Sequence, residues 1–323
     1  MRRRVARLLL PMVLALLPAG AAWAADDAAG LVARMAEAMR TASYAGDLVY
    51  AHGGELESMH VVHGFMEGAE YERLKFLTGE PFEIIRRGDS VTCVWPAKRR
   101  ALVDRRPGDT LAPRPPRDLR SLPPEYSARF VGEGRVAGRE ARIVRIGGRD
   151  RYRYGYRMWI DRQRHLLLRS ELLDAEGMVY ERLMFTSVRD LETVDPSRFE
   201  PSLDGVEYMS HDGNREGDGR IDDPRWRVSN LPPGFELLSH RRESLPGREG
   251  VVQHSVYSDG LAAVSVFVES TGPDESPMRG LSRMGAVHAF GRVLHGHQVT
   301  VVGEVPEATV RRIAAAVRRV DDE

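Results

Sequence analysis

The chain has 323 residues, of which 42% are hydrophobic and 29% are charged. This composition is typical of globular proteins, excludes a collagen-like or disordered chain, and at this length predicts two domains. Lysine and arginine together number 47, as do aspartate and glutamate, so the chain has no positive excess that would favour binding to nucleic acid.

Residues 1–24 have the three parts of a secretory signal peptide: an arginine-rich start, an apolar stretch from Leu8 to Leu17, and the small-x-small sequence Ala22-Trp23-Ala24. The apolar stretch is too short for the ~20 residues that cross a bilayer. We therefore expect export as a soluble periplasmic protein. The mature chain would have 299 residues and a net charge of −4.

Residues 25–209 are predicted to form a β-rich domain with one amphipathic helix, because apolar residues recur at helical spacing from Leu31 to Met39. Short runs separated by turns then predict an antiparallel meander. These runs are 48–52, 58–65, 71–77, 82–86, 91–95, 101–103, 126–131, 141–146, 156–160, 165–173 and 178–188. Six prolines between Pro107 and Pro124 interrupt the meander and predict a long surface loop.

Residues 210–224 are predicted to be an acidic linker, since the segment contains almost no apolar residue. Residues 225–323 are predicted to form a smaller α+β domain. Its expected strands cover 226–238, 251–257, 262–270 and 299–305, and its helix begins at Pro306 and carries apolar residues as far as Val320.

The sequence contains none of the catalytic or metal-binding motifs G-x-S-x-G, H-E-x-x-H, P-loop or C-x-x-C. We therefore predict no catalytic residue, no metal site and no cofactor. Oxygen-bearing residues from Asp212 to Asp223 approach a calcium-loop pattern, but the flanking segments do not read as helices, and a solvated hinge is the simpler interpretation. Cys93 lies in an apolar strand and is predicted to be a buried thiol, and His60 and His63 are predicted to point to opposite faces of a strand.

The remaining pattern favours binding. One helix and many strands are compatible with a curved sheet around a ligand cavity. The alternative is a sheet whose interior is simply a packed core.

Several segments resemble the MucB/RseB family, the periplasmic negative regulators of the envelope-stress sigma factor σE. In the first domain the resemblance rests on 44–50, 60–63, 72–79, 83–86 and 93–96. In the second domain it rests on Trp226, 230–235, 257–267 and 299–306.

The resemblance implies an α+β protein in two parts. The N-terminal part would be an unclosed antiparallel β-barrel with helices, similar to the lipoprotein carriers LolA and LppX, and the C-terminal part a smaller α+β domain. It also implies a partner, the periplasmic part of a transmembrane anti-sigma factor of the RseA or MucA type. The bound regulator would shield this partner from site-1 proteolysis, and lipid or lipopolysaccharide would release it. The competing interpretation is a periplasmic carrier of lipid or lipoprotein. The sequence does not indicate an oligomeric state.

Two groups of residues are candidates for these contacts. Aromatic and arginine side chains are favoured at interfaces, so the hypothesis for partner binding names Trp226, Phe235, Arg241 and Arg242. The alternative for the two aromatic residues is the core of the small domain. The hypothesis for lipid phosphates names three arginines of the proline-rich loop, and its alternative is an exposed solubilising loop. They are Arg114, Arg117 and Arg120.

Overall fold

The computed structural model describes residues 27–104, 119, 121–201, 207–211, 219–220, 225–243, 251–272 and 276–320. Within them the chain forms two sheet-based domains, as predicted, with one α-helix in each.

The N-terminal domain is built on a sheet of twelve strands. In chain order these are β1 (Tyr44–His52), β2 (Glu55–Met66), β3 (Ala69–Phe76), β4 (Glu83–Arg87), β5 (Ser90–Trp95), β6 (Arg100–Asp104), β7 (Tyr126–Val136), β8 (Arg139–Gly148), β9 (Gly155–Asp161), β10 (Leu167–Leu173), β11 (Val179–Asp190) and β12 (Glu207–His211). The spatial order is β12-β6-β5-β4-β3-β2-β1-β11-β10-β9-β8-β7. Two antiparallel meanders, β1–β6 and β7–β11, therefore meet where β1 pairs with β11. β12 adds to β6 in parallel at one edge, and β7 and β12 end the sheet without pairing to each other. The unclosed antiparallel sheet is confirmed.

Helix α1 (Ala28–Thr41) packs on this sheet. It begins at Asp27, whose carboxylate accepts a hydrogen bond from the backbone N–H of Gly30 at 2.6 Å, which satisfies one free donor of the first turn. Apolar residues one turn apart, among them Leu31 and Met35, form one buried cluster with Ile146 and Met158 of the sheet. The predicted helix is thus confirmed, and it extends beyond the predicted range at both ends.

The C-terminal domain contains a second sheet of seven strands, ordered β13-β15-β16-β17-β20-β19-β18. Its elements are β13 (Gly219–Arg220), β14 (Trp226–Val228), β15 (Glu236–Glu243), β16 (Val252–Ser258), β17 (Ala263–Ser270), β18 (Gly280–Met284), β19 (Val287–Leu294), β20 (His297–Gly303), α2 (Glu307–Ala316) and β21 (Val317–Arg319). Valines of β17 and β20 pack against Val310, Ile313 and Ala314 of α2, which forms the core of the domain.

Two predictions for this domain were wrong, and one hairpin was missed. The run 226–238 is two strands, β14 and β15, because the consecutive prolines at 232 and 233 and the left-handed Gly234 (φ 78°) lie between them and prevent a continuous strand. The last helix ends at Ala316, since 317–319 leave it to pair as β21 with β14. The hairpin of β18 and β19 was not predicted.

Two smaller predictions were confirmed. Cys93 is a buried thiol, 3% exposed. On β2, His60 contacts the carboxylate of Asp47 at 2.7 Å, whereas His63 is fully buried and donates from Nδ1 to the carbonyl of Ala42 at 2.6 Å, so the two rings lie on opposite faces.

Candidate functional site

A buried ion pair joins the two domains. The guanidinium of Arg153, in the β8–β9 loop, lies 2.6 Å from a carboxylate oxygen of Asp259, which follows β16, and both side chains are fully buried. Arg153 also donates to the carbonyl of Pro233 at 2.6 Å, and its guanidinium lies 5.2 Å from the ring centre of Tyr126 and 5.5 Å from that of Phe235. One side chain of the large domain is therefore enclosed by groups of the small domain.

The local sequence prepares Asp259 for this contact. Its Oδ1 accepts hydrogen bonds from the backbone N–H groups of Leu261 and Ala262, at 3.0 and 2.8 Å. Its Oδ2 is thereby left for Arg153 and for the hydroxyl of Tyr126, which donates at 2.9 Å. The turn that follows β16 therefore orients Oδ2 of Asp259 towards the large domain.

The charges at this contact support each other. Burial alone would lower the pKa of Arg153, but hydrogen bonding to Asp150 and the negative charges of Asp259 and Asp150 raise it above its ordinary value. Burial, followed by the charge of Asp259, raises the pKa of Tyr126. Both groups therefore stay protonated and keep donating to Asp259.

A second set of contacts lies at the start of α2. The hydroxyl of Thr309 donates to the carbonyl of Tyr152 at 2.6 Å, and Arg312 donates to the Tyr152 hydroxyl at 2.9 Å and to the side-chain oxygen of Asn230 at 2.7 Å. An open cavity of about 740 Å³ borders these groups and is also lined by Arg151. Polar contacts thus also join α2 of the small domain to the β8–β9 loop of the large domain.

Two carboxyl groups face each other across the same boundary. Glu304, which follows β20, lies against Glu181 of β11, which in turn accepts a hydrogen bond from the Tyr50 hydroxyl at 2.5 Å. Desolvation by the surrounding atoms, together with the charge and hydrogen bond of Glu181, raises the pKa of Glu304 to about 8. The side chain nevertheless keeps contact with water, so solvent screening reduces the energetic effect of this shift.

The raised pKa has a definite consequence for domain contact. Glu304 holds its proton up to about pH 8 in the docked state, against an ordinary value of 4.5. The docked state therefore binds the proton more tightly than a state in which the two carboxyls are apart. By linkage we expect domain contact to weaken as the pH rises from 4.5 towards 8, and because Glu304 is exposed, solvent screening makes this effect smaller than the shift alone would give.

The structure places the four residues of the partner-binding hypothesis in two environments. Trp226 and Phe235 are 5% and 4% exposed and belong to the core of the small domain, which is the alternative noted for them above. Arg241 and Arg242 are exposed on β15. The four residues therefore do not form one surface, because the two rings are taken up by packing.

The other candidate segments lie outside the described residues. This holds for Arg114, Arg117 and Arg120, for the signal peptide at 1–24, and for most of the acidic linker at 210–224, including its calcium-like residues. Their predicted roles stay predictions, as do the domain boundaries.

Within the described ranges one group of side chains has ligand atoms close enough for a metal ion: His63, Glu70 and Glu72. His63 is already satisfied, since its Nδ1 donates to a backbone carbonyl and its Nε2 lies 3.1 Å from Glu70. These two contacts account for the position of the ring without a metal.

Sequence reasoning missed the residues at the domain boundary. Asp259 lies in a segment that carries the family resemblance, but nothing marked it as a charge buried between domains. Arg153 follows Arg149 and Arg151 in an arginine-rich loop, where the three residues are alike in sequence. The Ser-Asp-Gly turn, a sequence that favours side-chain to backbone hydrogen bonds, was the one local signal.

No helix in the described part of the chain is long and apolar enough to cross a membrane.

Comparison with known proteins gives matches over both domains. The family model for the MucB/RseB N-terminal domain matches residues 27–203, and that for the MucB/RseB C-terminal domain matches residues 220–318. The chain is 34% identical over 316 residues to the sigma factor AlgU regulatory protein MucB of Pseudomonas aeruginosa, which covers 96% of each chain. It is 25% identical to the sigma-E factor regulatory protein RseB of Escherichia coli K12, over 89% of each.

Solved structures match over the same extent. The complex of Pseudomonas aeruginosa MucA and MucB gives a TM-score of 0.71 at 29% identity, covering 91% of this chain and 99% of the matched one. A second structure, a crystal structure of MucB, gives a TM-score of 0.60 at 29% identity, with 91% and 98% covered. The described fold is thus more similar to MucB in that complex than to MucB in this second structure.

Proposed function

Because the chain belongs to the MucB/RseB family, we propose that it binds the periplasmic part of a transmembrane anti-sigma factor of the RseA or MucA type. By binding, it shields this partner from site-1 proteolysis and so restrains the σE response. The observation that carries the proposal is the similarity of both domains, over 91% of the chain, to MucB in complex with MucA. The protein acts by binding, without catalysing a reaction.

The domain boundary supports a binding switch. A ligand can shift an equilibrium only if it binds two states unequally. Polar groups hold the domains in contact, among them Arg153 with Asp259 and Thr309 and Arg312 with Tyr152, while the charges of Glu304 and Glu181 oppose it. Docked and separated domains would supply the two states, and the anti-sigma factor would favour one of them.

We propose lipid or lipopolysaccharide as the ligand that favours the other state and releases the partner. This role requires export to the periplasm, which the signal peptide at residues 1–24 would provide. Arg114, Arg117 and Arg120 remain the proposed phosphate contacts within the proline-rich loop.

For the partner surface we propose the exposed side chains of β15. Leu237 and Leu238, whose exposed fractions are 52% and 72%, lie near its start, and Arg241 and Arg242 are exposed further along the same strand, on alternate sides. The leucines line a groove of about 460 Å³ that also contains Pro124 of the large domain. Exposed apolar side chains next to arginines are typical of protein-binding surfaces. An extended segment of the anti-sigma factor fits this groove.

The test is a protease-protection assay with the purified chain and the periplasmic fragment of the anti-sigma factor. We expect the wild-type protein to slow site-1 cleavage and added lipopolysaccharide to abolish the protection. R241E/R242E should lose affinity for the fragment, whereas the control R135E/R142E, which reverses two exposed arginines of β7 and β8, should keep it. Unchanged affinity of R241E/R242E would remove these two residues from the proposal. Failure of the wild type to protect, combined with lipid transfer between membranes, would favour the carrier instead.

A further inference from the structure

A row of charged residues crosses five neighbouring strands of the large sheet. Arg129 of β7 is opposite Arg145 of β8, which is opposite Arg157 of β9. Arg157 is opposite Glu171 of β10, which is opposite Arg182 of β11. Because directly opposed residues of antiparallel strands share one face of the sheet, all five side chains lie on the same face.

The single glutamate of the row orients three of the arginines. Glu171 is 1% exposed, and its carboxylate accepts from Arg182 Nε at 2.9 Å and lies 3.4 Å from Arg157 Nη1. Arg169, two residues earlier on β10, joins them with a short hydrogen bond to the same carboxylate. The guanidinium of Arg169 also lies 4.2 Å from the ring centre of Trp159, which holds it in place. These guanidinium groups are therefore fixed rather than free to reorient.

The row carries more positive charge than the described sheet neutralises. Arg129, Arg145, Arg157, Arg169 and Arg182, here called the arginine face, are five charges around one glutamate. Among the described residues Arg129 and Arg145 form no ion pair, and the buried Nε of Arg169 has no hydrogen-bond partner. Asp174 and Glu176 in the adjoining turn reduce the excess but do not cancel it. Like charges opposed on neighbouring strands destabilise a sheet, so folding stability does not account for the pattern.

We propose that the arginine face binds the phosphate groups of a lipid headgroup. Planar guanidinium groups donate two parallel hydrogen bonds to phosphate oxygens. Strands lie about 4.8 Å apart, so arginines on adjacent strands are close enough to share one phosphate. That the phosphate belongs to a lipid rests on the proposed function, in which lipid releases the partner.

The experiment measures binding to vesicles. The wild-type chain is mixed with vesicles of phosphatidylcholine alone, with phosphatidylcholine vesicles that contain phosphatidic acid, and separately with inorganic phosphate. The test variant is R129Q/R145Q, which removes the two arginines that form no ion pair and so leaves the Glu171 cluster intact. The control is R135Q/R142Q, which removes two exposed arginines from the same two strands.

Among the vesicles, we expect the wild type to bind only those that contain phosphatidic acid. The affinity for these vesicles should fall about fivefold for each arginine removed, and so about 30-fold in R129Q/R145Q. The control should bind like the wild type. If R129Q/R145Q does not fold, the exposed single variant R129Q is measured, with fivefold weakening as the expected result. Equal binding by variant and wild type overturns the proposal. Binding of inorganic phosphate without vesicles overturns its lipid part, and competition by polyglutamate but not by phosphatidic acid assigns the face to an acidic peptide instead.

The same samples separate this inference from the proposed function. A wild-type protein that protects the anti-sigma fragment but ignores every phosphate probe disproves the arginine face and leaves the regulator role standing. A protein that binds phosphatidic acid through the arginine face without protecting the fragment disproves the regulator role and leaves the phosphate site standing.

Discussion

Replacing Asp259 by asparagine tests the contact that holds the two domains together. The variant keeps the size of the side chain and one carbonyl oxygen for the turn, but it removes the negative charge 2.6 Å from the fully buried Arg153. Removing one partner of a buried ion pair costs about 3–5 kcal/mol, because the remaining charge is left without compensation.

The structure places the expected cost near the lower end of that range. Arg153 retains two hydrogen bonds to Asp150, at 3.0 and 3.1 Å, and one to the carbonyl of Pro233. We therefore expect D259N to lower the free energy of unfolding by about 3 kcal/mol, a large fraction of the 5–15 kcal/mol that is typical of folded domains.

The assay is urea unfolding combined with hydrogen exchange. Exchange should accelerate in the loop at 257–262 and around Arg153, while the strands inside each domain keep their protection. The double variant R153M/D259N should lose less than the sum of the two single variants, because it leaves no buried charge. E37Q is the control, since Glu37 pairs with Arg40 at side-chain exposures of 54% and 44%, and an exposed pair of that kind contributes about 1 kcal/mol or less. A D259N protein within about 0.5 kcal/mol of the wild type, or one no weaker than E37Q, would refute the reasoning.

Three further predictions concern other parts of the molecule. E304Q should abolish the weakening of domain contact between pH 4.5 and 8 and stabilise the protein at pH 8 by roughly 1–2 kcal/mol after solvent screening, measured by urea unfolding at both pH values. The exposed Glu236 supplies the control E236Q, which should keep the wild-type pH dependence. G46A should destabilise the large domain by about 2 kcal/mol or more, because the added Cβ would lie 2.2 Å from the backbone oxygen of Ser187, and a thermal melt equal to that of the wild type would contradict this. W226A should lower the unfolding free energy by about 3–5 kcal/mol, as expected for a core residue, whereas loss of partner affinity at unchanged stability would restore it to the partner surface.

The partner-binding hypothesis shows where sequence reasoning reaches its limit. Trp226 and Phe235 were chosen because aromatic residues are frequent at interfaces, but the same side chains are equally suited to a core. Only the three-dimensional arrangement separates these two uses, and it buries both rings. Arg241 and Arg242 were safer candidates, since an arginine is rarely buried without a partner.

Prediction of strands and helices failed where the apolar pattern continues past the residue at which the element ends. Alternation of apolar residues located most strands, because each strand buries one face. Alternation nevertheless predicts one strand over 226–238, which contains two prolines, and apolar spacing after Pro306 predicts a helix that continues to Val320. In the folded protein residues 317–319 instead pair with β14, and a pairing partner distant in sequence overrides the helical spacing.

The sequence by itself determined the two-domain α+β organisation, most of the strands, the presence of both helices and the family, because these follow from local periodicity and from motifs that stand contiguously in the chain. The tertiary structure decided which charges act together. Arg153 and Asp259 are 106 residues apart and belong to different domains, so no local pattern links them. The arginine face likewise depends on the register of five strands, which brings arginines far apart in the sequence into one row. Electrostatic contacts depend on distance and burial, and only the docked fold sets both.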